Sequence, residues 1–135
     1  IIDNLLINNN YLESISTRGI NIYANNNNLK KMCIDNIQDS KIIVNLNNNK
    51  LKNLKRDCDF NSYFDNFNLE FYYLSNNLIS EIKFDDFSKL IYLIALDLSQ
   101  NNITKINSNT FENSKLLRYL NLSFNKLDLL EKNLT

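Results

Sequence analysis

The fold of this chain is decided by the stretch 93-LIALDLSQNNITKI-106. Its apolar residues and one asparagine follow the pattern L-x-x-L-x-L-x-x-N-x-I-x-x-I, at Leu93, Leu96, Leu98, Asn101, Ile103 and Ile106. The pattern returns 24 residues later as Leu117, Leu120, Leu122, Asn125, Leu127 and Leu130. It also occurs 24 residues earlier as Leu69, Tyr72, Leu74, Asn77, Ile79 and Ile82. Self-similarity at this period indicates a repeat architecture.

The L-x-L pair of each repeat alternates with period two, which predicts a short β-strand with one buried face. One strand cannot bury that face alone, so we expect the strands to stack into a parallel sheet over a continuous apolar core. The following asparagine is expected inside the turn, because its amide can pair there with buried backbone groups that would otherwise cost roughly 1–3 kcal/mol. This predicted asparagine ladder consists of Asn10, Asn27, Asn49, Asn77, Asn101 and Asn125.

The three in-phase copies resemble the leucine-rich repeat. Their 24-residue form with a late phenylalanine, at Phe87 and Phe111, is similar to a subclass found in Toll-like receptor ectodomains and secreted insect immune proteins. The shorter repeat around 22–29 looks like those of mosquito leucine-rich immune proteins. The resemblance implies an α/β solenoid, a horseshoe with a concave parallel β-sheet and a convex side of loops, 3-10 turns and short helices.

We expect one domain of about six coils, with bounds 1–18, 19–40, 41–68, 69–92, 93–116 and 117–135. The first coil is short, so its phase is open by a few residues. In the second coil a competing phase uses Ile20, Ile22 and Asn25, but it puts Asn27 and Lys30 at apolar positions and is rejected. Neither end shows the cap that a solenoid needs, which predicts a fragment of a longer protein.

The third coil contains a cluster of aromatic residues at helical spacing. Phe60, Tyr63, Phe64 and Phe67 recur at i, i+3, i+4 and i+7. This spacing predicts a short helix on the convex side, with the rings as core.

The two cysteines, Cys33 and Cys58, each follow the last apolar residue of adjacent coils. Both are therefore expected on the convex side, where stacked coils can bring Cα atoms within the ~4.4–6.8 Å that a disulfide needs. Their phases differ by about three residues. A disulfide and two buried free thiols both remain open.

The residues between the leucines of each strand point onto the concave face. Most are small or polar, and the exceptions are Tyr23, Ile43, Phe71, Tyr73 and Tyr119. Because neighbouring strands lie about 4.8 Å apart, Phe71 and Tyr73 are expected beside Ile43 and near Tyr23. A patch rich in Tyr and Phe is typical of an interface, so these five are candidate partner-binding residues. The alternatives are that they are ordinary scattered exposed aromatic side chains, or that they pack on a missing part of the chain.

Three N-x-[ST] sequons occur, at Asn102, Asn121 and Asn133. In a secreted protein they are candidate glycosylation sites, although a chain rich in asparagine also produces sequons by accident. Asn102 is better placed than Asn121, whose glycan would block the concave surface near Tyr119.

Catalysis is not expected, because without histidine there is no imidazole base for a Ser-His-Asp or Cys-His site. The pair Asp85-Asp86 is expected to be solvated in a convex turn.

The sequence contains no glycine-rich phosphate loop and no Cys/His cluster, so it predicts neither a cofactor nor a metal. The net charge of +0 without a dense basic cluster argues against nucleic acid, and no apolar run is long enough for a membrane segment.

The resemblance therefore implies a non-catalytic recognition module, extracellular and of innate-immune or receptor type. It would bind a protein, which could be another leucine-rich repeat protein, on the concave sheet or a flank. An intracellular scaffold or regulatory subunit, located in the cytoplasm with reduced cysteines and unused sequons, is the alternative. A purely structural spacer is the third hypothesis.

Overall fold

A computed structural model describes residues 3–18, 21–35, 42–55 and 68–130. Its strands, in chain order, are β1 (Asn4–Leu6), β2 (Ser14–Arg18), β3 (Asn21–Tyr23), β4 (Lys31–Asp35), β5 (Ile42–Asn45), β6 (Leu69–Tyr73), β7 (Ala95–Asp97), β8 (Lys105–Ile106), β9 (Tyr119–Asn121) and β10 (Leu129–Leu130). One parallel sheet contains β1, β3, β5, β6, β7 and β9 in that order. Each of its strands comes from a successive repeat, which is the topology of a solenoid and confirms the predicted fold.

The repeats are stacked in the register that the sequence pattern predicts. One row of paired positions across the sheet runs through Leu5, Ile22, Val44, Tyr72, Leu96 and Leu120. Between β5 and β6 the register shifts, because Ile42 pairs with Leu69 whereas Ile43 pairs with Phe71. The extra residue is Glu70, so the sheet is irregular where the two halves of the chain meet.

The apolar core lies directly behind this sheet. Ile22, Val44, Leu74, Leu96 and Leu98 have no exposed surface. The late phenylalanines also belong to the core, since the ring centroids of Phe87 and Phe111 lie 5.0 Å apart at 55°. Tilted rings at this distance stabilise a protein by about 0.5–1.5 kcal/mol beyond the contribution of their buried area, so this pair stabilises the packing of two successive convex segments.

The opposite side of the solenoid changes character along the chain. Bonded pairs in neighbouring coils are 17 residues apart at the start, as for Asn9 and Asn26, and 24 apart for Ser75 and Ser99. In the short coils this side contains only extended chain. The extended segments of the first two coils are β2 and β4, which pair in parallel. The longer ones contain the helix α1 (Phe84–Phe87) and turns with i→i+3 bonds, including Thr110 N to Asn107 O.

Asp85 and Asp86 lie in α1 and not in an irregular turn. Asp86 is half-buried, contrary to the expectation that both carboxylates are solvated. Burial raises the pKa of the Asp86 carboxyl, although the hydrogen bond that it accepts from the Lys83 N–H, at 2.8 Å, acts in the opposite direction. The carboxylate caps the start of this helix. The helix predicted over 60–67 lies outside the described residues.

Candidate functional site

The asparagine ladder joins the coils from inside their turns. Asn101 donates from Nδ2 to Leu74 O at 3.0 Å and to Leu98 O at 3.1 Å, and its Oδ1 accepts from Ile79 N at 3.0 Å. Asn27, Asn49, Asn77 and Asn125 form equivalent bonds. Each amide thus bonds to its own coil and the preceding one, which gives these residues a structural role.

Asn10 differs from the other ladder positions because it is exposed. Its Nδ2 donates to Ile7 O and Asn8 O, both at 3.1 Å, which are carbonyls of its own coil. These are the same within-coil bonds that Asn101 makes to Leu98 O and Ser99 O.

A second row of asparagines, which sequence reasoning missed, lies on the outside of the same turns. This outer asparagine row consists of Asn9, Asn26, Asn48 and Asn76. Their side chains bond to one another through Asn26 to Asn9 at 2.8 Å, Asn48 to Asn26 at 2.6 Å and Asn76 to Asn48 at 2.9 Å. All four have positive φ, which asparagine tolerates better than most residues. In the sequence, the runs of asparagine before each ladder position were the feature from which this outer row could have been predicted.

The five candidate partner-binding residues project from the concave sheet as two adjoining rows. In the first row, Ile43 pairs with Phe71, Phe71 with Ala95, and Ala95 with Tyr119. In the second row, Tyr23 pairs with Asn45, which pairs with Tyr73. Tyr23, Ile43, Phe71 and Tyr73 are half-buried and form a cluster that we call the concave patch. Tyr119, 52 % exposed, is separated from the patch by Ala95.

Leu6 extends the patch beyond the predicted set. It pairs with Tyr23 across β1 and β3, and it is 68 % exposed. Its neighbours Leu5 and Ile7 face the core side of the same strand and are less exposed. The strand alternation contained this signal, but a leucine within a leucine-rich pattern does not stand out as an exposed residue.

Polar side chains border these two rows. Asn47 Oδ1 accepts from Ser75 N at 2.7 Å, and Ser99 Oγ donates to Ser75 Oγ at 3.0 Å. Asn8 Oδ1 accepts from Asn25 N at 3.0 Å. The concave face therefore presents aromatic rings beside small polar groups that are already ordered by hydrogen bonds, which lowers the entropy lost on binding.

The structure places two of the three sequons. Asn102 is half-buried in the turn, and its backbone N–H donates to Ile79 O at 2.8 Å. Asn121 is half-buried on β9, and its Oδ1 accepts from Ser123 N at 3.1 Å. Asn133 lies outside the described residues, so use of the sequons stays a prediction.

Cys33 lies in β4 and is buried with 2 % of its surface exposed. The other cysteine, Cys58, lies outside the described residues, so the bond between the two stays a prediction.

Across the described ranges, no group of three or more His, Cys, Asp or Glu is arranged to hold a metal ion. No helix in those ranges is long and apolar enough to cross a bilayer.

Comparison with known proteins agrees with the geometry. Residues 68–127 match the family model described as leucine rich repeat. This part of the chain belongs to the leucine-rich repeat family. No curated protein matches the sequence. The upstream strands β1, β3 and β5 continue the sheet of these leucine-rich repeats in register, and Asn27 and Asn49 continue their ladder. Stacked repeats of this kind present extended concave surfaces for binding, and the family is typically a protein-interaction module.

Proposed function

We propose that this chain is a protein-recognition module of an extracellular protein of receptor or innate-immune type, and that it binds a protein partner on its concave sheet. The observation that carries the proposal is the concave patch, in which Phe71 and Tyr73 lie on one strand beside Ile43. Tyrosine and phenylalanine at the centre of a surface are enriched among residues that dominate binding energy.

The composition of the concave face supports a protein as the ligand. Apart from the aromatic residues, the face is built largely of asparagine and serine, as in the row Asn8, Asn25, Asn47, Ser75, Ser99 and Ser123. Tyrosine combined with serine and asparagine is also the composition of antibody paratopes. Tyrosine gives contact area at a low entropy cost, and the small polar residues supply adaptable hydrogen bonds.

The binding test compares two pairs of substitutions in the purified protein. Phe71→Ala with Tyr73→Ala is expected to weaken binding of the natural partner by about tenfold or more, because it removes the two central rings of the patch. Tyr11→Ala with Tyr92→Ala is the control, since both side chains are exposed away from the concave rows. Calorimetry measures the affinity, and circular dichroism shows that both variants remain folded.

The outcome separates the concave face from other surfaces. An unchanged affinity for the Phe71/Tyr73 variant would remove the concave patch as the binding surface. A loss of affinity only in the Tyr11/Tyr92 variant would move the interface to a flank.

The extracellular location is tested by the intact mass of the protein from its native source, with and without glycosidase and reductant. We expect a glycan on Asn102 and a disulfide between Cys33 and Cys58; no described cysteine is a free thiol, which supports the bond. A glycan on Asn121 would also support the extracellular location, although it would block part of the concave rows beside it. A protein with bare asparagines and two alkylatable thiols would instead indicate the intracellular scaffold.

A further inference from the structure

Asp97 places a carboxylate within two rows of uncharged side chains on the concave sheet. The described residues in line with it across the sheet are Leu6, Tyr23, Asn45, Tyr73 and Asn121, and the row before them contains Asn4, Asn21, Ile43, Phe71, Ala95 and Tyr119. None of these residues is an aspartate, glutamate, lysine or arginine. Asp97 lies between Tyr73 and Asn121, its direct partners on the neighbouring strands.

The negative charge of Asp97 is not needed for the fold. Its Oδ1 accepts a hydrogen bond from Ser99 N at 2.9 Å. Two neutral asparagines at the same position of other coils make the same bond, since Asn45 Oδ1 accepts from Asn47 N and Asn121 Oδ1 accepts from Ser123 N, both at 3.1 Å. A neutral amide is therefore sufficient for the local structure, and the charge is available for another interaction.

Within the described ranges, no lysine or arginine forms an ion pair with this carboxylate. The ion pair present there joins Lys30 and Glu13 at 3.1 Å, away from the concave rows. Asp97 is half-buried, so its surroundings screen a charge less than open water does.

The aromatic residues around Asp97 suit one type of cation. Phe71 and Tyr119 lie on either side of Ala95, two strand spacings or about 10 Å apart. Ala95 and Asp97 are two residues apart on one strand, which is about 7 Å. Ala95 is itself buried, so an aliphatic stem could lie across the outer edges of the two rings above it while its charged end reaches Asp97 beside Tyr73. Arginine has such a stem, and its flat guanidinium both bonds to carboxylates and stacks on aromatic faces.

We propose that Asp97, Tyr73, Phe71 and Tyr119 form a receiving site for an arginine side chain of the protein partner. The inference rests on the proposed function and deepens it, because it states which residue the partner inserts into the concave face. Lysine would gain the charge interaction but not the planar, stacked contact.

The test uses blocked amino acids as probes, in a titration of isotopically labelled protein followed by NMR. The protein is made in bacteria, so that none of its sequons carries a glycan. N-acetyl-arginine amide is expected to shift the backbone amide signals of Tyr73, Asp97 and Ser99 in a saturable way. N-acetyl-citrulline amide has nearly the same shape without the charge, and we expect it to bind about tenfold more weakly or not at all.

Two matched variants complete the experiment. Asp97→Asn should weaken arginine binding about tenfold while the other amide signals stay in place, since Asn45 and Asn121 already show that asparagine fits this position. Asp128→Asn, which changes an exposed carboxylate in another segment, should have no effect.

Absence of arginine binding to the wild-type protein, or equal binding to Asp97→Asn, would overturn the arginine site. Either result would leave the concave interface itself to be judged by the Phe71/Tyr73 variant, so the two proposals fail separately.

Discussion

Leu98→Ala is expected to lower the free energy of unfolding by about 2–5 kcal/mol, measured by chemical denaturation. Leu98 has no exposed surface and lies in the central core, with coils on both sides of it. The substitution removes apolar contacts and leaves a cavity that the stacked coils can fill only partly, because each coil is hydrogen-bonded to its neighbours.

Leu116→Ala is the matched control for this substitution. Leu116 is the same residue type, but it is 45 % exposed. We expect a much smaller loss there, within the range of ordinary surface substitutions. A similar loss for the two variants, or a neutral result for Leu98→Ala, would mean that the assigned strand phase is wrong.

Asn101→Ala is expected to cost about 2–3 kcal/mol, although the side chain removed is polar. The Ile79 N–H would lose its acceptor in a buried position, which costs about 1–3 kcal/mol. The carbonyls of Leu74 and Leu98 would each keep a second donor, from Asn77 at 3.1 Å and from Asn125 at 2.8 Å. The loss should therefore be smaller than the sum over all the bonds that Asn101 makes.

Two further variants identify the origin of this effect in the same denaturation experiment. Asn107→Ala alters an exposed asparagine outside the ladder and should change stability by no more than about 0.5 kcal/mol. Asn101→Asp keeps the volume but puts a carboxylate among carbonyl oxygens, so at neutral pH it should be at least as damaging as alanine. A stable Asn101→Asp variant would contradict the hydrogen-bonding role of the ladder.

The solenoid and its register could be predicted because they depend on spacing alone. Leucines at Leu96 and Leu98 bury one face of a strand, and only stacking against equivalent strands covers that face. The same reasoning separated the two phases of the second coil: in the structure Asn27 makes the ladder hydrogen bonds, and Lys30 is exposed. Periodicity therefore determines which side chains point inward, even where the coils vary in length.

Features that depend on neighbouring coils were harder to predict. The outer asparagine row forms because positive-φ positions of successive coils stack, so Asn48 meets Asn26 only in three dimensions. The partial burial of Asp86 likewise depends on surrounding residues that the repeat pattern does not specify. A repeat pattern identifies equivalent positions, but the shape of the surface also depends on the length of each coil.

The neutral residues Asn45 and Asn121 are the clearest evidence that the charge of Asp97 has a function apart from the fold. They provide an internal control for Asp97, since the three residues occupy one structural position and make one backbone hydrogen bond. In a repeat protein, a difference at an equivalent exposed position can be separated from the requirements of the fold. The sequence shows that residue 97 is an acid, but its neighbours Tyr73 and Asn121 are defined only by the register.

Recognition by the concave face is tested most directly by photo-cross-linking in extracts or fluids of the native source. A photoreactive phenylalanine analogue is placed singly at Tyr73, at Tyr119, and at the control positions Tyr11 and Tyr92. We predict that the same partner is captured from positions 73 and 119 and not from 11 or 92. Adducts formed at Tyr11 or Tyr92, with none at Tyr73 and Tyr119, would contradict the concave sheet as the binding surface.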